Sequence, residues 1–310
     1  MDVDGASEVV DPMDEQPLET LTLSVLRTVK EARAQHGLRH QDYTRYRQYC
    51  TRRLRRLYKS LKVLHGRGKY APAPIEAGNV QDARVLLLPL LCAERAWAYA
   101  MEDKQTGQGQ ESRLSRPKRL HMLKRLRKAA SSSSELVRLA KERFDRQTAL
   151  EAEGYEGGMH GTHLLEKEKD WNSALSKFVS ARVAYTDLEE VAKEKAQELA
   201  KAAAAADQEK DPKARKSKLV VASEGMELVS LVKAKLEELG PAIRYCEYKL
   251  GDDGALAALE KEMRSKQKDG QGGSADILVA SELQSSLMDA MHKERLAAEE
   301  ADDGHPLVIE

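Results

Sequence analysis

"YTRYRQYCTRRLRRLYKSLKVL", residues 43–64, carries two patterns at once. Tyr43, Tyr46, Cys50, Leu54, Leu57, Leu61 and Leu64 recur at steps of 3 and 4, which places them within an arc of roughly 80° on a helix. That spacing predicts an amphipathic helix with its seam against a core, begun by Asp42 as N-cap and running to about Leu64. Between the apolar positions, residues 45–62 hold eight Lys or Arg in eighteen places, with no acid. Arg45, Arg52, Arg56 and Lys59 fall opposite the seam, Arg55 and Lys62 beside them, and Arg47 and Arg53 on the flanks. Charge runs on helices are usually solvated faces, but such faces alternate sign so that i,i+4 pairs offset repulsion. Here nothing offsets it, so the helix is expected to meet a polyanion.

Arginine outnumbers lysine six to two in this stretch. A guanidinium forks onto phosphate bidentately and stacks on bases, whereas an ammonium acts as a point charge, so nucleic acid is the expected polyanion. The sequence shows no zipper after the basic run, no zinc-finger spacing and no helix-turn-helix, which removes the common DNA-binding frames. The major groove of a regular RNA duplex is too narrow for a helix, so RNA binding implies a bulge, loop or junction that opens it. A second strip, "RPKRLHMLKRLRK" (116–128), adds Arg116, Lys118, Arg119, Lys124, Arg125 and Lys128. There His121, Lys124, Arg125 and Lys128 share an arc opposite Leu120, Met122, Leu123 and Leu126. Two basic helices could grip two phosphate tracks; a merely exposed cationic edge fits this second strip equally well.

The 310 residues balance 51 bases against 51 acids, yet the charge is segregated. Arg27 to Lys69 carries fourteen bases against two acids, a net of +12, and Arg113 to Lys128 carries eight bases and no acid. The first 26 residues have seven acids and no base, and Gly270 to Glu310 has nine acids against two bases. A polyanion partner therefore concerns part of the chain. The 5% aromatic content, 33% charged content and abundance of Ala, Leu, Glu, Lys and Arg indicate helices. Three widely spaced cysteines suit a reducing compartment and argue against a disulfide framework or zinc site. The N-terminus has neither the apolar core of a signal peptide nor the basic amphipathic pattern of a transit peptide. No apolar run approaches the roughly 20 residues of a membrane span, so no membrane insertion is expected.

Residues 1–20 read as a disordered acidic tail. Residues 21–250 read as one all-α domain of antiparallel helices: 21–35, the basic helix, an apolar central helix at 82–104 with Pro89 as a kink or break, and 116–144 as one helix or two joined at the serine run. A glycine-rich hairpin loop, "GYEGGMHGTH" (154–163), is expected before a helix that continues into an extended or inserted alanine-rich helix over 192–218. A last amphipathic helix is expected to stop at Gly240-Pro241, followed by a short closing helix. Residues 251–310 read as linker and acidic tail, with one possible helix around Ile277 to Leu296.

The strings "HGLRHQDYTRYRQYCTRRLRRLYKSL", "LLLPLLCAERAWAYAMEDK", "KRLHMLKRLRKA" and "PAIRYCEYKLGD", in that order, resemble the N-terminal RNA-binding domain of the 68-kDa subunit family of the signal recognition particle, over roughly residues 21–254. The resemblance implies a tetratricopeptide-like domain that binds the particle (7S) RNA near its multi-helix junction and bends it through an arginine-rich helix. It assigns that role to Arg45, Arg47, Arg52, Arg53, Arg55, Arg56, Lys59 and Lys62. It also implies a 72-kDa partner subunit, the particle's receptor, a cytoplasmic site with nucleolar assembly, and service to protein targeting at the endoplasmic reticulum. Three departures stand out: the chain stops at Glu310 without the C-terminal half that holds the 72-kDa subunit, the alanine-rich stretch is long, and Pro89 interrupts a smooth helix. Independently, Trp171, Ala174, Phe178 and Ala181 follow the alternation of aromatic and small residues by which repeat helices pack closely.

Catalysis finds no support in the sequence. His160 and His163 lie in the glycine-rich stretch with only Glu153 and Glu156 as nearby acids at ligand spacing, so a hairpin loop is expected over a metal site, and no phosphate loop or nucleophile elbow appears. Cys50 sits on the apolar seam and is expected to be an inert buried thiol. A structural RNA-binding subunit needing no cofactor is the main expectation. A helical adaptor whose basic face meets an acidic protein or anionic surface is the alternative.

Overall fold

Leu21, close to the start of the described residues, pairs with the turn between two later helices. Its N–H donates to the Arg143 carbonyl at 3.1 Å and its carbonyl accepts from Asp145 at 2.9 Å. The computed structural model describes residues 20–63, 75–76, 78, 80–107, 114–206, 212–251 and 255–268. These form eight α-helices: α1 (Val25–Gln35), α2 (Tyr43–Ser60), α3 (Leu87–Gly107), α4 (Arg116–Arg143), α5 (Arg146–Lys167), α6 (Trp171–Ala206), α7 (Pro212–Leu250) and α8 (Ala255–Lys268). The described residues contain no strand beyond the single Leu21–Phe144 bridge, so the chain is all-α as expected. From α2 to α7 each helix packs on the next, and α8 lies on α6. That nearest-neighbour layering is the architecture of helical repeats.

The helix expected from residue 21 begins at Val25 because α5 claims the preceding backbone. The Thr148 hydroxyl accepts from the Leu23 N–H at 3.0 Å, and the Glu151 carboxyl accepts from the Leu26 N–H at 2.9 Å. Glu151 thus does the capping that the Ser24 side chain does not. A turn at Gly37 leads to α2. With φ at 117°, Gly37 sits where only glycine is at ease, and an added Cβ would lie 2.9 Å from the Asp42 carbonyl oxygen.

Pro89 neither kinks nor breaks α3. It is the third residue of the helix, in the first turn, where backbone N–H groups lack an intrahelical partner in any case. The serine run does not divide α4 either. The buried Ser133 hydroxyl folds back onto the Ala130 carbonyl at 2.7 Å, and the helix is unbroken from Arg116 to Arg143.

The expected glycine-rich loop lies inside α5. Gly154, Gly157 and Gly161 form a groove along the helix into which α6 is pressed. A Cβ would stand 2.3 Å from the Tyr185 ring at Gly154, 2.8 Å from the Lys177 carbonyl oxygen at Gly157, and 2.6 Å from the Phe178 ring at Gly161. The facing Ala174, Phe178 and Ala181 are buried, so the small-and-aromatic alternation does mark close helix packing. Composition indicated a loop, but tertiary contact selects a helix.

A further reading is corrected by the α6–α7 pair. Gly240-Pro241 does not stop α7, because Leu239, Ile243 and Cys246 continue a buried stripe on both sides of the proline. Of the expected alanine-rich helix over 192–218, residues 192–206 continue α6 and residues 212–218 open α7 at Pro212, a favoured first helical residue, while 207–211 fall outside the described residues. Residues 255–268, expected as linker, form α8, whose Leu259 and Met263 lie one turn apart and pack on the α6–α7 core. The basic helix ends at Ser60, short of the expected end near Leu64, because the chain turns left-handed at Lys62. The expected acidic tail up to residue 19 and the helix around Ile277 to Leu296 fall outside the described residues.

Candidate nucleic-acid interface

The seam of α2 is buried as its spacing predicts: Tyr46, Cys50, Leu54 and Leu57 face the core, and Asp42 caps the helix through the Arg45 N–H at 2.8 Å. Burial pushes the Cys50 thiol up to about 12, despite the arginines around it. It is a core residue and not a reactive thiolate. Rotation of α2 about its axis is fixed by Tyr46, whose hydroxyl donates to the Glu94 carboxylate of α3 at 2.7 Å. Glu94 is 1% exposed and also accepts from Tyr155 of α5 at 2.8 Å and from Arg33 of α1. Burial raises the carboxyl's pKa, but the Arg33 guanidinium and the two hydroxyls outweigh it and hold Glu94 below the usual carboxylate range. Four helices converge on one carboxylate, and the orientation of the basic face follows from it.

With the seam fixed, the cations divide into two groups. Arg45, Arg55, Arg56, Lys59 and Lys62 are exposed and make no ion pair among the described residues; Arg52, also exposed, donates to the Gln48 side chain at 3.1 Å. Arg47 and Arg53 are half-buried and engaged. Arg47 pairs with Glu102 at 2.6 Å and lies 4.7 Å from the Tyr99 ring centroid, while Arg53 donates to the Tyr49 hydroxyl. Lys62 departs from its expected place. The helix ends at Ser60, and Lys62 follows it in a left-handed turn with φ at 53°, so it is not in line with the comb.

The second strip divides in the same way. On α4, Arg116, Lys118, Lys124 and Lys128 are exposed and unpaired among the described residues. Arg119 is tied to Glu168 at 2.7 Å and to the Glu166 carbonyl at 3.3 Å, where it joins two helix ends. Arg125 lies 4.5 Å from the Tyr99 ring centroid. Leu120, expected on the apolar side, is 50% exposed at the edge of that face, whereas Met122 and Leu126 are buried.

Because α3 packs between α2 and α4, the two strips meet over its surface. They share an open basin of about 270 Å³ lined by Arg47, Thr51, Arg95, Tyr99, Arg125 and Lys128. Arg95 and Tyr99 were not among the expected site residues. Their i,i+4 spacing on one face of α3 was the available signal. Among the described residues no group of His, Cys, Asp or Glu is arranged to hold a metal, and no helix is long and apolar enough to cross a membrane.

Comparison with known proteins follows the same residues. The family described as RNA-binding signal recognition particle 68 matches residues 38–308. The chain is 34% identical over 271 residues to the signal recognition particle subunit SRP68 of Drosophila melanogaster, covering 86% of this chain and 38% of that protein. It is 29% identical over 280 residues to the subunit of the same name from Caenorhabditis elegans, covering 87% and 40%. The chain thus spans about two fifths of the length of these curated relatives. A solved structure, the SRP68-RBD from Chaetomium thermophilum, shares the fold with a TM-score of 0.54 and 22% identity, over 79% of this chain and 98% of that one.

Proposed function

Because this chain belongs to the RNA-binding signal recognition particle 68 family, we propose that it binds the particle RNA at a junction or loop through the outer face of α2, with α4 as a second phosphate track. One observation carries the reading: cations without acidic partners crowd the exposed faces of two helices flanking α3, while the cations that do have partners serve the fold. Unpaired guanidiniums repel one another until a polyanion arrives, so RNA contributes Coulomb energy that the free protein lacks. A helix this broad enters only a widened RNA groove, which selects a junction over a regular duplex. Binding then fixes RNA shape by neutralising phosphates, without turnover. A cytoplasmic ribonucleoprotein serving co-translational targeting to the endoplasmic reticulum, with a 72-kDa partner subunit and the particle's receptor, completes the proposal at the level of the whole protein.

The test is a competition. Junction-containing particle RNA, a perfect duplex of equal length and polyglutamate are titrated against the chain at one salt concentration. The proposal expects at least a tenfold preference for the junction. Equal, weak binding of all three would instead describe an indifferent cationic surface of the kind an adaptor for acidic partners presents.

A further inference from the structure

The basin between α2, α3 and α4 is organised more tightly than a collection of surface cations. Two like-charged guanidiniums, Arg47 and Arg125, are both held against the Tyr99 ring, at 4.7 and 4.5 Å from its centroid. The ring's quadrupole supplies the attraction that lets them sit so near each other. Each is locked by a further partner. Glu102 accepts from Arg47 Nε at 2.6 Å and from its Nη2 at 3.4 Å. Arg125 Nε lies 3.2 Å from His121 Nε2, and an arginine Nε can only donate, so His121 Nε2 accepts and the imidazole carries its proton on Nδ1. That Nδ1–H donates to Asp103 at 2.6 Å. Both acids beside the basin are therefore occupied on its rim. The Arg125 Nη groups, the whole Arg95 guanidinium and the Lys128 ammonium remain without hydrogen-bond partners among the described residues.

Three features define the ligand. Tyr99 already has guanidiniums against it and the His121 ring at its edge, 5.0 Å away, so it does not serve as a platform for a base. The free donors are phosphate-seeking forks and an ammonium, which match oxyanions and not apolar groups. The basin, about 270 Å³, holds far more than a single water, and the unengaged charge exceeds what one phosphodiester neutralises. We propose that this basin seats two phosphate groups at once, as supplied by an RNA backbone turning sharply between the α2 and α4 tracks. The source of the phosphates rests on the RNA-binding reading above; the phosphate chemistry of the basin does not.

Two titrations at constant ionic strength decide it, with sodium tripolyphosphate as a probe of the basin and with junction-containing particle RNA. The variants are Arg95→Gln, the exposed Lys128→Gln, which leaves the core untouched, and Lys233→Gln, an exposed lysine of α7 outside both tracks, as a control. The expected result is that each basin variant binds tripolyphosphate about tenfold more weakly, and that each lowers the log–log salt slope for RNA by about 0.7 to 0.9. The control should change neither. Tripolyphosphate binding that is equal in all variants overturns the basin as a phosphate seat. Loss of tripolyphosphate binding with an unchanged RNA slope overturns RNA as the source and leaves a site for free polyphosphate. Absence of RNA binding by the unaltered chain sinks the broader RNA reading, while the tripolyphosphate titration still decides for or against the basin.

Discussion

Arg33 and Glu94, sixty-one residues apart, are joined by two parallel hydrogen bonds of 2.9 and 2.8 Å across the interface of α1 and α3. The Arg33 guanidinium also lies 4.1 Å from the Trp97 ring centroid, so its plane is fixed on one side by a carboxylate and on another by an indole. With Tyr46 and Tyr155 on the same carboxylate, both oxygens of the buried Glu94 are occupied, while Arg33 is 20% exposed. That is the condition under which a buried charge can be tolerated. Its position beneath the basic face links the stability of the fold to the presentation of α2.

Glu94→Ala leaves a guanidinium and two tyrosine hydroxyls without their acceptor. Removing one partner of a buried pair typically costs about 3 to 5 kcal/mol. Thermal denaturation followed by circular dichroism is expected to show a clearly lowered midpoint. RNA affinity measured below that midpoint should also fall, because Tyr46 no longer fixes the rotation of α2.

Glu151 gives the fold a pH dependence. Burial raises its carboxyl to about 7, against the opposing pull of the Leu26 and Val25 N–H groups. The folded state then holds a proton that the unfolded chain has released, so stability is full below the ordinary carboxyl range and is lost as pH rises through about 7. Over that window the effect is on the order of 3 kcal/mol. Urea unfolding at pH 5 and pH 8 should show the unaltered chain weaker at pH 8, and Glu151→Gln should show a smaller difference between the two.

Two neighbouring glycines should respond in opposite directions. At Gly157 an added methyl meets the Lys177 carbonyl oxygen at 2.8 Å, a backbone atom that cannot swing aside. Gly157→Ala should therefore destabilise by about 1 to 3 kcal/mol through overpacking. At Gly158 nothing lies within 4 Å. Gly158→Ala should stabilise by about 0.5 to 1 kcal/mol, through helix propensity alone. Paired denaturant midpoints check both.

These glycines also mark where the sequence stopped being legible. The seam of Tyr46, Cys50, Leu54 and Leu57 and the Asp42 cap could be read because they are local: helical spacing and a side chain reaching three residues ahead. The glycines of α5 read as a loop because the reason for them, the Tyr185 and Phe178 rings of α6, lies in another helix. Pro241 read as a stop because the buried stripe holding α7 together across it is defined only by the α6 surface. Glu94 and Arg33 gave no local signal of pairing. At the interface the charges themselves were legible, but their division into free and engaged was not, since Glu102, Glu168 and Tyr99 come from other helices. Arg95 was hidden in the apolar run that opens α3 and emerged only when α2 and α4 were placed on either side of it.

If the exposed face of α2 neutralises RNA phosphates, the salt dependence of binding reads out how many. Arg52, Arg55, Arg56 and Lys59 are replaced together by Gln, and the affinity for junction-containing particle RNA is measured across a salt series for both chains, with helicity checked by circular dichroism. Four lost contacts at about 0.7 to 0.9 each predict a log–log slope shallower by about 3, with helical content retained. An unchanged slope in a folded variant would contradict the account, because the comb of α2 would then not be touching the RNA.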